Sequence, residues 1–226
     1  MKIFTRRVSI TQAILLAVCF LCITSCSKKD PDLIVQGQTK IKVTNAVQTE
    51  TKQDVYIDNE KLTSASLTFG ETSDYLTIPS GNRNLSYQGS NNLNTSTNLN
   101  FTPSLTYSTF LVSDRNANRE IVSYEDNLSI SDMATAKIRL INLSPNFATG
   151  INVTVQAGAQ FVNGLLFKEA SNYFSLDAGA ALRYNVVGSG SIKTIAATDL
   201  IPGKIYTIWF SGLTAATLEA HLIEYN

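Results

Sequence analysis

From residue 41 onward, apolar and polar positions alternate with period two. Ile41/Val43, Val55/Ile57, Leu76/Ile78, Leu85/Tyr87, Leu99/Phe101 and Tyr107/Thr109/Leu111 each place two or three residues on one side of an extended chain, the pattern of half-buried strands. Turn formers separate these runs at Asp58-Asn59, Pro79-Ser80-Gly81, Gly89-Ser90-Asn91-Asn92 and Asp114-Arg115-Asn116. The same texture returns in Val153/Val155, Phe174/Leu176, Leu182/Tyr184/Val186 and Tyr206/Ile208/Phe210. Roughly seven short strands per stretch, with turns about every ten residues, predict β-sandwiches.

The two stretches are also copies of one another. Leu67, Phe69, Glu71, Ser73, Tyr75 and Gly81 recur 98 positions later as Leu165, Phe167, Glu169, Ser171, Tyr173 and Gly179. Pro103, Tyr107 and Glu120 recur at an offset of 99 as Pro202, Tyr206 and Glu219, and Ile41-Lys42-Val43-Thr44-Asn45 answers Ile138-Arg139-Leu140-Ile141-Asn142 at 97. Ordered identities of this kind mark an internal duplication. The predicted organisation is domain 1 over residues 39–127, a linker at 128–135 and domain 2 over 136–226.

Each copy carries an apolar residue, Pro at +2 and Tyr at +6, in Phe101…Pro103…Tyr107 and Leu200…Pro202…Tyr206. This resembles the corner of fibronectin type III and immunoglobulin-like domains, where a tyrosine hydroxyl bonds to upstream backbone. The fold class expected is therefore all-β: two tandem immunoglobulin-like or fibronectin-III-like β-sandwich domains, with Tyr107 and Tyr206 as structural corners. Period two in Ile205-Tyr206-Thr207-Ile208-Trp209-Phe210 sets Tyr206, Ile208 and Phe210 on the core face and Trp209 on the other. Phe110 holds the matching position in the first copy. Both aromatics are thus expected on an outer sheet surface, as a contact for a glycan or partner or under a covering loop or neighbouring domain.

The N-terminus reads differently. Lys2, Arg6 and Arg7 precede an 11-residue apolar run from Ala13 to Ile23. A membrane-spanning helix needs about 20 apolar residues, so the run fits the h-region of a secretory signal. Ile23-Thr24-Ser25-Cys26 resembles a lipobox, which implies a lipoprotein signal peptide at 1–25 and acylation of Cys26, with residues 26–38 forming the lipidated Cys and a tether. Several acyl chains hold a protein on a membrane far more firmly than one. Cys19 and Cys22 leave with the signal, so the mature chain has no thiol to pair and its domains must stand on their cores. The full chain has 18 basic and 18 acidic residues; removing three basic ones leaves 15 against 18, a net charge of −3. No basic stripe of the kind nucleic acid requires remains. Ser27, rather than an acidic residue, follows the lipidated position, which favours the outer membrane of a Gram-negative envelope, on its periplasmic or exterior face.

Candidate chemistry is sparse. His221 is the sole histidine, so no His-based zinc cluster or Cys/His dyad can form and no metal is expected. No serine lies in a G-x-S-x-G elbow, and Gly188-Ser189-Gly190 lacks the remaining features of a dinucleotide loop and reads as a hairpin turn. Asp54, Asp58 and Glu60 supply oxygen donors suited to calcium, but their spacing matches no EF-hand, and a solvated face accounts for them. Asp54-Val55-Tyr56-Ile57-Asp58, Phe69-Gly70-Glu71-Thr72-Ser73-Asp74-Tyr75-Leu76, Ile78-Pro79-Ser80-Gly81 and Ile138-Arg139-Leu140-Ile141-Asn142-Leu143-Ser144-Pro145 resemble domain-of-unknown-function family 4397, a β-sandwich domain of bacterial envelope and secreted proteins. Asn152, Lys168 and Asn172 depart from that pattern in the second copy. The resemblance implies fold and location and transfers no catalytic residue or cofactor. The function expected is a non-catalytic envelope lipoprotein that binds a protein partner or spaces domains from the membrane; the alternative is an accessory glycan-binding lipoprotein of the outer membrane.

Overall fold

The structure is a computed structural model that describes residues 37–49, 52–89, 93–129, 132–156 and 158–225. Residues 1–36, which hold the expected signal peptide, Cys26 and most of the expected tether, lie outside the described residues. The first half contains β1 (Gln38–Asn45), β2 (Gln53–Ile57), β3 (Glu60–Lys61), β4 (Leu76–Pro79), β5 (Gly81–Gly89), β6 (Asn94–Phe101), β7 (Thr106–Ser113) and β8 (Arg119–Glu125). The second contains β9 (Thr135–Asn142), β10 (Ile151–Val155), β11 (Gln160–Leu165), β12 (Phe174–Asp177), β13 (Leu182–Val186), β14 (Lys193–Ile195), β15 (Ile205–Ser211) and β16 (Glu219–Glu224). Two single-turn 3-10 segments, Ala197–Asp199 and Ala215–Thr217, complete it.

The first half builds one sheet in the order β4-β1-β7-β8 and another in the order β3-β2-β5-β6. The second half builds β12-β9-β15-β16 and β11-β10-β13-β14, the same orders with every strand advanced by eight. Pairing is antiparallel except between β1 and β7 and between β9 and β15. The short β3, joined to β2 by Asp58 and Asn59 at φ 48° and 70°, and its counterpart β11 bring each half to eight strands among the described residues, where alternation suggested about seven. Two adjacent residues at positive φ make the tight hairpin turn whose twist suits antiparallel strands.

Each half has its own core. Ile41, Val43, Val55, Leu85, Tyr87, Phe101 and Leu111 fill the first, and Ile138, Leu140, Ile151, Val153, Leu182, Ile208 and Phe210 fill the second. Both sheets of each half contribute, so each half is a sandwich stabilised by about 1.5–3 kcal/mol per fully buried large apolar side chain. The Tyr107 hydroxyl accepts the Thr102 N–H at 3.1 Å and the Tyr206 hydroxyl accepts the Ile201 N–H at 3.2 Å, each satisfying an amide at the turn that enters β7 or β15.

The repeated residues have matching structural tasks. The Glu71 carboxylate accepts the Thr68 N–H at 2.6 Å, and that of Glu169 accepts the Leu166 N–H at 2.8 Å. The Ser73 hydroxyl accepts the Val43 N–H at 3.1 Å, and that of Ser171 accepts the Leu140 N–H at 2.9 Å. Buried Asn45 and Asn142 donate to the carbonyls of Leu67 and Leu165. These bonds tie the segment before β4 or β12 to the central strand and spare buried amides the cost of going unpaired. Within that segment Gly70 takes φ 86°, and its counterpart Lys168 takes φ 64°.

Candidate functional site

The central strands β7 and β15 are buried on both faces, which a lone sandwich cannot achieve. Trp209 and Phe110 are each 0% exposed. Period two set both residues opposite the sandwich cores, and of the two readings of that face the structure shows the covered one: the other half of the chain lies over it, so neither aromatic is an exposed contact. Ala46, Phe110, Val112, Ile141, Leu143, Trp209 and Ile223 form a third apolar cluster, drawn from both halves, with Phe69, Val122, Tyr124 and Phe167 packed against it.

Local register builds this cluster. Trp209 pairs with Ile141 on β9 and His221 on β16, and Phe110 pairs with Thr44 on β1 and Val122 on β8. The Trp209 indole stacks on His221 at 3.9 Å and 11°, and meets Phe69 and Phe110 edge-on at 6.1 and 6.2 Å. Edge-to-face aromatic contacts add about 0.5–1.5 kcal/mol beyond burial. The indole N–H finds no acceptor. The His221 Nε2 shares a hydrogen bond with the Ser211 hydroxyl at 2.8 Å, and burial lowers the pKa of its imidazole from the ordinary value. His221 is thus a packed strand residue.

Beside the aromatics lies a buried polar group that sequence reasoning missed. Arg139 on β9 and Asp126 just after β8 form an ion pair at 2.6 Å with side chains 4% and 0% exposed. The guanidinium also donates to the Thr207 hydroxyl and to the Glu125 carbonyl, and the Ser108 hydroxyl donates to the second Asp126 oxygen at 3.0 Å. Tyr225 shares hydrogen bonds with Ser108 at 2.6 Å and Thr207 at 2.9 Å, so one phenol bridges the halves. Burial pushes the Asp126 carboxyl up against the pull of Arg139; burial also works against the Arg139 charge, yet Tyr225 and Asp126 raise its pKa overall. The two shifts pull opposite ways on one pair. The ionised pair is the better description, because Asp126 is surrounded by donors at hydrogen-bonding distance. Burial raises Tyr124 to about 12, and its hydroxyl donates to the Lys168 carbonyl across the seam at 2.9 Å. The one available signal for this group was a charge inside the apolar run Ile138-Arg139-Leu140-Ile141.

The remaining candidates separate. Asp54 pairs with Lys61 at 2.9 Å and Asp58 with Arg83 at 3.2 Å, so these carboxylates neutralise surface cations. Among the described residues no three His, Cys, Asp or Glu side chains are grouped to hold a metal. A cavity of about 190 Å³ sits at one end of the seam, lined by Gln48, Thr49 and Arg115 from the first half and Ser144, Asn146 and Leu213 from the second. Its side chains can offer hydrogen bonds and one guanidinium. Among the described residues no helix is long and apolar enough to cross a membrane.

Residues 39–149 match the family described as Domain of unknown function (DUF4397), a stretch that covers the first sandwich, the linker and β9. No curated protein matches the chain. Among solved structures it is similar to a fimbrial assembly protein from Parabacteroides distasonis ATCC 8503, at 14% identity over 83% of this chain and 95% of that chain, with a TM-score of 0.23.

Proposed function

We propose that this chain, whose residues 39–149 match DUF4397, is a non-catalytic lipoprotein of the bacterial outer membrane. In this reading Cys26 carries the lipid, residues 136–226 are a second copy of the family's domain, and the paired sandwiches form a stiff module that presents or spaces an envelope protein partner. The observation that carries the proposal is the use made of the repeated and aromatic residues. Glu71, Ser73, Tyr107 and their counterparts bind backbone, while Phe110 and Trp209 are spent on joining the halves. The chemistry repeated between the two halves is invested in rigidity, as suits a scaffold. Support for the glycan alternative falls accordingly, since Trp209 offers no ring face to solvent.

The test is crosslinking in intact cells followed by purification from detergent-solubilised outer membrane, alongside fatty-acid labelling of the wild type and Cys26→Ser. A stoichiometric envelope protein on the purified chain, and label that disappears with Cys26→Ser, are expected. Retention on polysaccharide without a protein partner, or label that persists in the variant, contradicts the proposal.

A further inference from the structure

We infer that the seam between the halves is selective for unlike partners, so that the duplicated domains recognise each other and reject copies of themselves. The seam has the form of a two-fold contact, in which a patch on one half meets the equivalent patch on the other. Backbone pairing proves the equivalence at its edge: the Asp126 N–H donates to the Thr106 carbonyl, and the Tyr225 N–H donates to the Ile205 carbonyl, both at the 99-residue offset. Lys42 opposite Ser108 corresponds to Arg139 opposite Thr207. Phe110 and Trp209 are also equivalents, and they touch one another.

The equivalents differ where the halves meet. Asp126 in the first half answers Tyr225 in the second, Lys42 answers Arg139, and Phe110 answers Trp209. Pairing unlike halves sets one guanidinium on one carboxylate, and leaves the Lys42 ammonium over the Tyr75 ring at 4.8 Å with the Ser73 carbonyl as acceptor. A pair of second halves would set two Arg139 side chains against two Tyr225 phenols with no carboxylate at position 126 to neutralise them. It would also press two indoles together where the structure holds an indole and a phenyl. A pair of first halves would replace the Arg139 guanidinium, which donates to Asp126, Thr207 and the Glu125 carbonyl at once, by the Lys42 ammonium, which lacks that planar set of donors, and would leave a void where the indole sits. Unpaired buried charge and misfit volume act against the wrong partner.

The experiment uses the full mature chain with a protease site replacing residues 128–131, cut after folding. Two preparations, one tagged on the N-terminal half and one untagged, are mixed and allowed to exchange, and the tagged half is recovered. It should bring down the C-terminal half in a 1:1 ratio and no untagged N-terminal half; with the tag on the C-terminal half the result should mirror this. Halves that part on cutting at micromolar concentration, or a tagged C-terminal half that brings down an untagged C-terminal half, would overturn the inference. Asp126→Asn should raise the dissociation constant of the cut halves roughly 100-fold, by stranding a buried guanidinium. Asp126→Asn with Arg139→Gln should recover at least about ten-fold of that loss, because the charge and its partner leave together. If the single variant binds as tightly as the wild type, the ion pair does not confer the selectivity.

Discussion

Trp209→Ala removes the largest side chain of the seam. The indole is fully buried, stacked on His221 and edged by Phe69 and Phe110, so its loss leaves a hole bounded by three rings that belong to two different sandwiches. An aromatic of this size buries about 150–250 Å², which at about 25 cal/mol per Å² corresponds to roughly 4–6 kcal/mol before the retained alanine methyl is deducted. Measured costs of such truncations run at about 3–5 kcal/mol, and we expect a value in that range. Trp209→Phe should behave otherwise. It restores the residue type of the first half and deletes an indole N–H that finds no acceptor. An unpaired buried donor costs about 1–3 kcal/mol, comparable with the smaller volume lost, so the net change should be within about 1 kcal/mol. Urea unfolding followed by far-ultraviolet circular dichroism measures both. Because the lost contacts join two bodies with separate cores, the alanine variant should also resolve into two transitions where the wild type shows one. A Trp209→Ala cost below about 1 kcal/mol, with a single unchanged transition, would show that Trp209 does not join the two sandwiches.

Three further outcomes follow from single residues. Burial lowers the His221 pKa, so the fold prefers the neutral ring: stability is fully present above the unfolded value near 6.5 and is lost as pH falls below it; denaturation midpoints measured at pH 7.5 and 5.5 should drop for the wild type and drop less for His221→Gln. A β-carbon on Gly150, which sits at φ 80°, would lie 2.4 Å from the Gly164 carbonyl carbon, so Gly150→Ala should cost about 2 kcal/mol or more in thermal unfolding, and a neutral result would contradict the close approach of the β9–β10 loop to β11. Tyr206→Phe deletes the acceptor of the Ile201 N–H and should cost about 1 kcal/mol, with Tyr107→Phe similar; no change in either would mean that water replaces the hydroxyl at both corners.

Much of this arrangement was legible in the chain. Period-two alternation placed Ile41, Val43, Val55 and Leu85 on core faces, and Asp58-Asn59 marked a turn, because each depends on a few neighbouring residues. The spaced identities of Glu71 and Ser73 with Glu169 and Ser171 marked a repeat for the same reason: each half closes the same local bonds. The seam was harder to read. Tyr206-Thr207-Ile208-Trp209-Phe210 is close to a continuous apolar run, and that is the mark of a strand covered on both sides, yet alternation alone puts Trp209 on the non-core face without saying what covers it. The parallel pairing of β1 with β7 joins segments more than 60 residues apart and leaves no local trace. Asp126 gave no signal, since its partner Arg139 belongs to the other half and only the folded chain brings them to 2.6 Å.

The two sandwiches are locked face to face around Trp209. As the chain's one tryptophan, it reports on that seam without labels. Steady-state emission of the native protein, with acrylamide titrated in, should show a blue-shifted maximum and almost no quenching, both changing together as urea unfolds the chain. Red-shifted native emission that acrylamide quenches as readily as free indole would place Trp209 in water and mean that the halves are not packed on one another there.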